Sequence, residues 1–268
     1  MMLMSLIAAA SLLALMERFG RVRLHPQPFF RTFFVSDFFH LLTGFIAGGS
    51  IAVAYVTHGS TFIGEVFAIP RLATLSLPLW FVVVLALLSL DAGNYVAHYC
   101  LHRFDTLWEF HKIHHSSREL DWLATFRSHI GEQILRRLLA PALLILFGFP
   151  PKAVIIAGAI FIAWAILNHA NLGSNLQGLE SVLITPRLHR IHHLNKAKSN
   201  NLGTVFTIWD KLRGTLDRTQ YAQESELGIG EPDYPQSWLR QFPEPMRQMV
   251  SRRSNLGDEV SNAVSSGC

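Results

Sequence analysis

Charged residues and cysteines are both scarce in this chain. Only 16% of its 268 residues are Asp, Glu, Lys or Arg, whereas a soluble globular domain carries about 25%. Half of the residues are hydrophobic and collect in long runs, which argues against a soluble domain and indicates membrane helices. The two cysteines, Cys100 and Cys268, exclude a disulfide framework. On a helix, Cys100 would face away from the histidines beside it.

Sequence features of nucleic-acid binding and of secretion are also missing. The net charge is +4, but no basic stripe alternates with stacking aromatic residues, so no nucleic-acid partner is expected. The apolar start of the chain has no basic residue before it, and its arginines, from Arg18 onward, come afterwards. A secretory signal has the opposite order, so we expect an uncleaved, short first membrane span.

Four further apolar segments predict helices, and the expected fold is all-α with about four to five membrane spans. They cover about residues 38–57, 77–97, 134–149 and 153–167. The last two are short for a hydrocarbon core of about 30 Å and are joined only by "PPK". This pair predicts a short hairpin that either crosses the bilayer or dips partway into it.

The basic residues predict the orientation of these spans. Arginines and lysines lie between the first and second spans, between the third and fourth, and after the fifth. Five crossings bring all three regions to one side, which the positive-inside rule makes cytoplasmic. We therefore expect an integral multi-pass membrane protein whose histidine clusters all lie on the cytoplasmic face.

Eight of the thirteen histidines fall into three short clusters. "HYCLH" spans 98–102, "HKIHH" spans 111–115 and "HRIHH" spans 189–193. On a helix, residues three and four apart share a face, so each cluster turns its imidazoles in one direction. Neutral imidazoles bind metal ions, and eight exceed the capacity of one ion. The sequence therefore predicts two metal ions, with these candidate ligands: His98, His102, His111, His114, His115, His189, His192 and His193.

Five histidines remain outside the clusters. His25, His40 and His58 are isolated and are expected to be ordinary polar residues. His129 and His169 lie between the second and third clusters, on the predicted cytoplasmic face. Spacing alone leaves it open whether these two bind metal or are simply hydrogen-bonded.

Carboxylates near the clusters are candidate partners for the second nitrogen of a metal-bound imidazole. Asp91 lies on the same helix face as His98, with Asn94 or Tyr95 between them. A carboxylate at the end of a membrane span is costly unless it has a role, which favours Asp91. Weaker candidates are Glu132 and Asp210.

A metal transporter or a metal-binding protein without turnover would also need histidines in a membrane. Transport places polar ligands at mid-membrane depth along a path. Here the centres of the predicted spans are nearly free of such residues, so these functions are the remote alternatives.

Five stretches of the sequence share their order and spacing with one enzyme family. They are "DAGNYVAHYCLHRFDTLWEFHKIHH" (91–115), "FRSHIGE" (126–132), "NHANL" (168–172), "TPRLHRIHH" (185–193) and "NNLGTVFTIWDKLRGT" (200–215). Together they resemble the histidine boxes and flanking elements of the fatty acid hydroxylase/sterol desaturase superfamily of membrane-bound di-iron enzymes. The resemblance covers roughly residues 80–215.

This resemblance implies a cytoplasmic helical cap in which histidines from all boxes enclose two iron ions. It adds His129 and His169 to the ligands, which gives ten. It also implies supporting roles around the metals for these polar residues: Asp91, Tyr95, Glu132, Asn171, Asn201 and Asp210. Imidazoles suit zinc as well as iron, so zinc could occupy the site in purified protein.

The resemblance further implies an oxidoreductase that uses O2 as co-substrate. The expected reaction is hydroxylation of a C–H bond in a lipid that enters from the bilayer, with desaturation as the alternative. Sterol, acyl chain, carotenoid and ether lipid all fit. The sequence has no Gly-rich dinucleotide fingerprint after a strand. We therefore expect electrons from a separate donor protein, either ferredoxin-like or cytochrome b5-like with a reductase.

The sequence suggests three regions. Residues 1–76 carry the first spans and a connecting loop, and residues 77–218 form the catalytic domain. Residues 219–268 are polar and rich in proline, which predicts a partly disordered tail.

Overall fold

The protein is helical throughout the part that its computed structural model describes, which comprises residues 11, 13–19, 23–28, 30–44, 72, 75–173, 176–195, 199–219 and 226–252. No strand occurs among these residues. The helices are α1 (13–19), α2 (34–44), α3 (Leu79–Arg103), α4 (Asp105–His115), α5 (Ile130–Leu139), α6 (Ala142–Leu146), α7 (Pro151–His169), α8 (Pro186–His192), α9 (Ile208–Arg213), α10 (Trp238–Gln241) and α11 (244–252). The expectation of a helical fold is confirmed for this part of the chain.

Helices α3 and α7 are long and apolar enough to cross a membrane. They correspond to the third and fifth predicted spans. Only 39% of the apolar window of α3 and 22% of that of α7 is buried inside the protein, so most of each helix faces outward. Most of the first and second predicted spans, and His58, lie outside the described residues.

The predicted fourth span is not one helix. Residues 134–149 form the end of α5, a turn at residues 140–141 and all of α6. Pro141 has no N–H for a helical hydrogen bond, and its ring would clash with the preceding turn of a continuous helix. The predicted hairpin of two short helices is therefore corrected to one long helix, α7, preceded by two short ones.

Helix α3 passes very close to the turn between α5 and α6. A Cβ atom on Gly93 would lie 2.4 Å from the carbonyl oxygen of Leu139 and 2.6 Å from that of Ala140. Only glycine allows this approach. Next to it, α3, α6 and α7 enclose an apolar core that includes Val82, Ala86, Leu144, Ala153 and Ala157.

A second apolar cluster lies beneath α8. Leu188 and Ile191 of that helix pack there with Leu120, Ala124, Ile184, Leu194 and Leu227. The helix begins at Pro186, where a missing N–H is tolerated, and the Oγ1 of Thr185 accepts a hydrogen bond from the N–H of Leu188 at 3.4 Å. Because the apolar residues occupy one face, the histidines of α8 are turned to the other.

Charged residues near the N-terminus belong to a buried ion-pair chain. Arg18 and Arg31 each donate to Asp121 at 2.7 Å, and Arg127 donates to Asp37 at 2.7 Å. Arg31 also pairs with Asp37, which completes the chain. Burial alone would raise the pKa of Asp121, but the hydrogen bond and charge of Arg31, followed by those of Arg18, lower it below its usual value. These contacts tie α1 and α2 to the histidine-rich segments.

The described part of the predicted tail, residues 226–252, packs on the histidine-rich helices. Gln241 is fully buried. Arg252 donates to the buried Glu109 at 2.6 Å, and the ammonium of Lys112 lies 3.2 Å from Glu231. These tertiary contacts hold residues 226–252 against the helices, and they cannot be read from the sequence of the segment itself.

Candidate metal centre

Nine histidines form two adjoining groups in the centre of the helical domain. The five-histidine group consists of His98, His102, His111, His115 and His192, and the four-histidine group consists of His114, His169, His189 and His193. Within each group, one ring nitrogen from every histidine lies within 4.8 Å of the others. The stacked rings of His115 and His193, with centroids 4.5 Å apart, connect the two groups.

The last turns of four helices deliver these side chains. His98 and His102 lie at the end of α3, and His169 is the last residue of α7. The two His-x-x-His-His motifs lie on α4 and at the end of α8. Each motif contributes to both groups, so the motifs interlock and do not each bind one ion.

Backbone carbonyl groups fix the rings through Nδ1. The Nδ1 atoms of four histidines lie 2.8–3.1 Å from carbonyl oxygens: His98 from Leu202, His114 from Arg127, His169 from Ala165 and His192 from Asn200. A carbonyl oxygen can only accept, so the proton of each neutral ring lies on Nδ1. The lone pair of Nε2 is left for another partner.

The free Nε2 lone pairs point at one another. The Nε2 atoms of His114 and His169 are 3.2 Å apart, and those of His98 and His111 are 3.1 Å apart. Neither His114 nor His169 can donate from Nε2, so that contact cannot be a hydrogen bond. Nitrogen ligands at about 2.1 Å from one metal ion lie about 3 Å from their neighbours. The nitrogen atoms are therefore arranged as ligands of a cation.

A buried acceptor without a partner supports the same conclusion. Among the described residues, the Nε2 of His192 is buried and has no hydrogen-bond partner. Burial lowers the pKa of His192 to about 3, and it lowers the pKa values of His111, His114 and His115 well below the usual value. The rings thus stay neutral at physiological pH, which metal ligation requires.

Glu132 is the carboxylate in direct contact with a clustered histidine. Its Oε1 lies 2.9 Å from the Nδ1 of His111 and accepts a hydrogen bond from Arg136 at 2.8 Å. Arg136 also donates to Asn94 of α3 at 2.9 Å. A carboxylate behind a metal-bound imidazole fixes the ring and makes it a stronger ligand.

Asp91 contacts no histidine ring in the described structure and instead holds the loop after α8. It accepts hydrogen bonds from the backbone N–H groups of Val205 and Phe206, both at 3.0 Å, and from the indole of Trp209 at 2.8 Å. Tyr95 packs on the same indole, with ring centroids 6.4 Å apart. Both residues thus act on the loop and not on His98, the ring that the sequence placed one or two turns from Asp91.

Asp210 and Asn201 shape the same loop from within. Asp210 accepts from the N–H groups of Leu202 and Gly203 at 3.0 and 2.8 Å, which aims the Leu202 carbonyl at His98. Asn201 adopts a left-handed conformation with a φ of 54°, which asparagine tolerates. Its amide donates to the carbonyl of Leu188 at 3.1 Å and so connects the loop to α8.

His129 is not brought to the other nine histidines. Its Nδ1 accepts from the N–H of Gly131 at 3.0 Å, and its Nε2 lies 3.0 Å from the carbonyl oxygen of Phe242. Asn171 lies beside the N-terminal segment, where its amide donates to the carbonyl of His25 at 2.7 Å. Cys100 belongs to neither histidine group.

The functional groups that sequence reasoning missed are mostly backbone carbonyls. Those of Leu202, Asn200, Ala165 and Arg127 orient four rings, and no residue type marks such a role. The sequence singled out the side chain of Arg127 only as part of the "FRSHIGE" element. Its burial between Asp37 and the carbonyl of Ile113, to which its Nε donates at 3.1 Å, required the structure.

The model of the fatty acid hydroxylase family matches residues 83–215, which contain all nine clustered histidines. The chain therefore belongs to the fatty acid hydroxylase superfamily. No solved structure gives a significant match.

Among characterised relatives, the ornithine lipid hydroxylase OlsE of Rhizobium tropici is 34% identical over 189 residues, which cover 70% of this chain and 56% of the relative. The alkylglycerol monooxygenase of Danio rerio is 28% identical over 58% of this chain and 37% of its own length. The human alkylglycerol monooxygenase is 31% identical over 49% of this chain and 30% of its own length. The chain thus spans about half or less of the length of these relatives.

Proposed function

We propose that this protein is a membrane-embedded lipid hydroxylase that uses O2 at a dinuclear histidine centre. The observation that carries the proposal is the pair of adjoining groups of buried, neutral imidazoles whose Nε2 atoms face one another. The names of the relatives, a lipid hydroxylase and alkylglycerol monooxygenases, support a lipid substrate. They also favour hydroxylation over the desaturation that the sequence left open.

We infer that the nine clustered histidines, and not His129, are the ligands of two iron ions. Iron held there would supply the redox chemistry that activates O2. Carbonyl groups and Glu132 would keep the rings in place, because each holds an Nδ1 nitrogen and frees the Nε2 lone pair. Burial of the centre by the surrounding helices would keep bulk water away from the reaction.

The balance of the reaction requires an electron donor. One oxygen atom of O2 is inserted into the C–H bond and the other leaves as water, so two electrons and two protons must be supplied. We propose that a separate ferredoxin-like or cytochrome b5-like protein provides the electrons.

The positions of α3 and α7 favour a substrate that enters from the bilayer. Both helices end at clustered histidines, so a lipid lying along their exposed apolar faces would reach the centre from the bilayer. Histidines at helix ends, and not at mid-helix, also argue against a metal transporter. We propose that the histidine groups lie in a cap on the cytoplasmic face and that the substrate is a lipid with a long acyl or alkyl chain.

The test is a measurement of metal and product on the same preparation. Protein purified without oxygen should contain two irons per chain, with a Mössbauer spectrum of iron bound by nitrogen ligands. With a membrane lipid extract, a chemical or ferredoxin reductant and isotopically heavy O2, one heavy oxygen atom should appear in a lipid hydroxyl group. His192→Ala should abolish this product. A stoichiometry of one metal per chain, or a product that carries oxygen from water, would overturn the proposal.

A further inference from the structure

A row of exposed apolar side chains follows the C-terminal helices. Leu239, Phe242, Met246 and Val250 expose 75%, 52%, 47% and 68% of their surface. Met246 and Val250 lie four residues apart on one side of α11, Leu239 lies on α10, and Phe242 lies in the turn between the two helices. We call these four residues the C-terminal apolar face. Exposed apolar residues grouped in this way mark a surface that binds another apolar surface.

Arginines accompany this face. Arg240 and Arg247 are exposed beside it, and neither has a salt bridge to a carboxylate among the described residues. An open groove of about 520 Å³ runs along α11, lined by Pro243, Met246, Arg247, Val250 and Ser251. An apolar face with basic residues at its margin is the pattern of a helix that lies in the interface of an anionic bilayer.

The face continues onto α2. The rings of Trp238 and Phe39 are in contact, with centroids 5.7 Å apart. On α2, Val35, Phe38 and Phe39 expose 66%, 44% and 44% of their surface. The sequence predicts that a membrane span starts at about Phe38, so Trp238 meets α2 at the depth of the membrane interface, where tryptophan is enriched.

The C-terminal segment is attached firmly to the segments that surround the metal centre. The carbonyl of Phe242 accepts from the Nε2 of His129, and Gln236 accepts from the guanidinium of Arg127 at 2.9 Å. Gln241 accepts from the Nε2 of His40 of α2 at 2.9 Å. A surface that binds lipid at this position would therefore fix the depth of the histidine groups relative to the bilayer.

We propose that residues 236–252 form an interfacial membrane anchor whose apolar face inserts between acyl chains and whose arginines bind anionic headgroups. The proposal rests on the membrane location in the proposed function but not on the metal chemistry. Its test therefore measures the position of this segment in the membrane and not enzyme turnover. A failure to hydroxylate lipid would leave the outcome of the test unchanged.

Environment-sensitive fluorescent labels on the full chain in lipid nanodiscs test the insertion. In a background with Cys100→Ser and Cys268→Ser, a label is attached to Met246→Cys, to Val250→Cys or, as a control, to Asp233→Cys in an exposed loop. We expect the labels at 246 and 250 to emit at shorter wavelength and to be quenched by nitroxide lipids and not by iodide. The control label should behave in the opposite way. Labels that iodide quenches, or that neither agent reaches because a second copy covers them, would overturn the proposal.

Variants then separate the contribution of the arginines to membrane binding from that of the apolar residues. In nanodiscs that contain phosphatidylglycerol, Arg240→Gln combined with Arg247→Gln should shift the label emission to longer wavelength, since each basic residue strengthens binding about fivefold. Nanodiscs of phosphatidylcholine alone should give no such shift. Leu239→Glu with Phe242→Glu should expose the label in both lipids, and unchanged metal content in each variant shows that the fold is intact. Equal emission of all variants in both lipids would contradict the anchor.

Discussion

At the scale of single residues, the hydrogen-bond partner of the second ring nitrogen separates the proposed ligand histidines from the other histidines. The Nδ1 of His114 donates to the carbonyl of Arg127, and its Nε2 faces the other imidazoles. Both nitrogens of His40 lie next to oxygen atoms, Nδ1 3.1 Å from the carbonyl of Ser128 and Nε2 2.9 Å from the amide oxygen of Gln241, so neither is directed at another imidazole. His129 also has a partner at each nitrogen, since Nδ1 accepts from the N–H of Gly131 and Nε2 faces the carbonyl of Phe242, although the family resemblance groups it with His114.

Replacement of His129 and His114 should therefore have different results. His114→Ala removes an Nε2 from the four-histidine group and should lower the metal content of the purified protein. His129→Ala should leave the metal content unchanged, because neither of its nitrogens faces the centre. It should still lower the unfolding free energy by about 1 kcal/mol, since His129 caps α5 through the N–H of Gly131. Metal analysis and thermal unfolding distinguish the two effects. Equal loss of metal in both variants would restore His129 as the tenth ligand.

The clustered histidines could be predicted as candidate ligands from the sequence for a physical reason. Ligands at three- and four-residue spacing need only a helix to share a face, and a helix is a local structure. The role of His129 depends on Phe242, which lies far along the chain. That of Asp91 depends on the path of the loop around Val205. Such contacts are set by tertiary packing, so the sequence identified these residues without their partners.

At the scale of helices, the crossing of α3 with the turn after α5 depends on Gly93. Gly93→Ala should destabilise the protein by about 1–3 kcal/mol, because the new methyl group would meet two backbone carbonyls at 2.4 and 2.6 Å that cannot rotate away. Gly158 of α7 is a matched control, since a Cβ there meets nothing within 4 Å. Gly158→Ala should unfold at the temperature of the wild type or above it. Thermal unfolding in detergent measures both, and similar stability of the two variants would mean that the helices separate freely at this point.

The ion-pair chain connects helices in a second way. Asp37→Asn removes one carboxylate from the buried Arg31 and Arg127. This should lower the free energy of unfolding by about 3 kcal/mol and lower the unfolding temperature. Asp105→Asn is the control. Its pair with Arg252 spans 3.6 Å, and Asp105 is 89% exposed, so the loss should be under about 1 kcal/mol. If Asp37→Asn unfolds like the control, the chain does not hold α2 to the domain.

Which features of the helices could be predicted from the sequence depends on the contacts that each helix makes. Helices α3 and α7 were predictable because outward-facing apolar residues persist along their length. The break at Pro141 was missed because apolar residues surround it, and hydropathy averages over the proline. The arginines at 18 and 31 were assigned to a loop on charge alone. Their burial depends on Asp121 and Asp37, which no local pattern connects with them.

At the scale of the whole molecule, metal binding and stability should be coupled. The nine histidines come from four helices distributed between residues 98 and 193, so ions bound by them would cross-link the domain. Without a cation, facing Nε2 lone pairs such as those of His114 and His169, 3.2 Å apart, repel one another in a buried site. We therefore expect the metal-free protein to unfold at a distinctly lower temperature. Free metal at about one hundred times its dissociation constant should raise the free energy of unfolding by about 2.7 kcal/mol.

The measurement is thermal unfolding of anaerobic protein before and after removal of metal with a chelator, and again after addition of ferrous iron or zinc. Both ions should restore stability, because imidazole binds both, whereas only iron should restore oxidation of lipid. His114→Ala should regain less stability than the wild type, since one group of ligands is incomplete. If the unfolding temperature does not respond to metal, the two histidine groups are held in place by packing and carbonyl contacts alone. Metal binding would then not explain why their Nε2 atoms face one another.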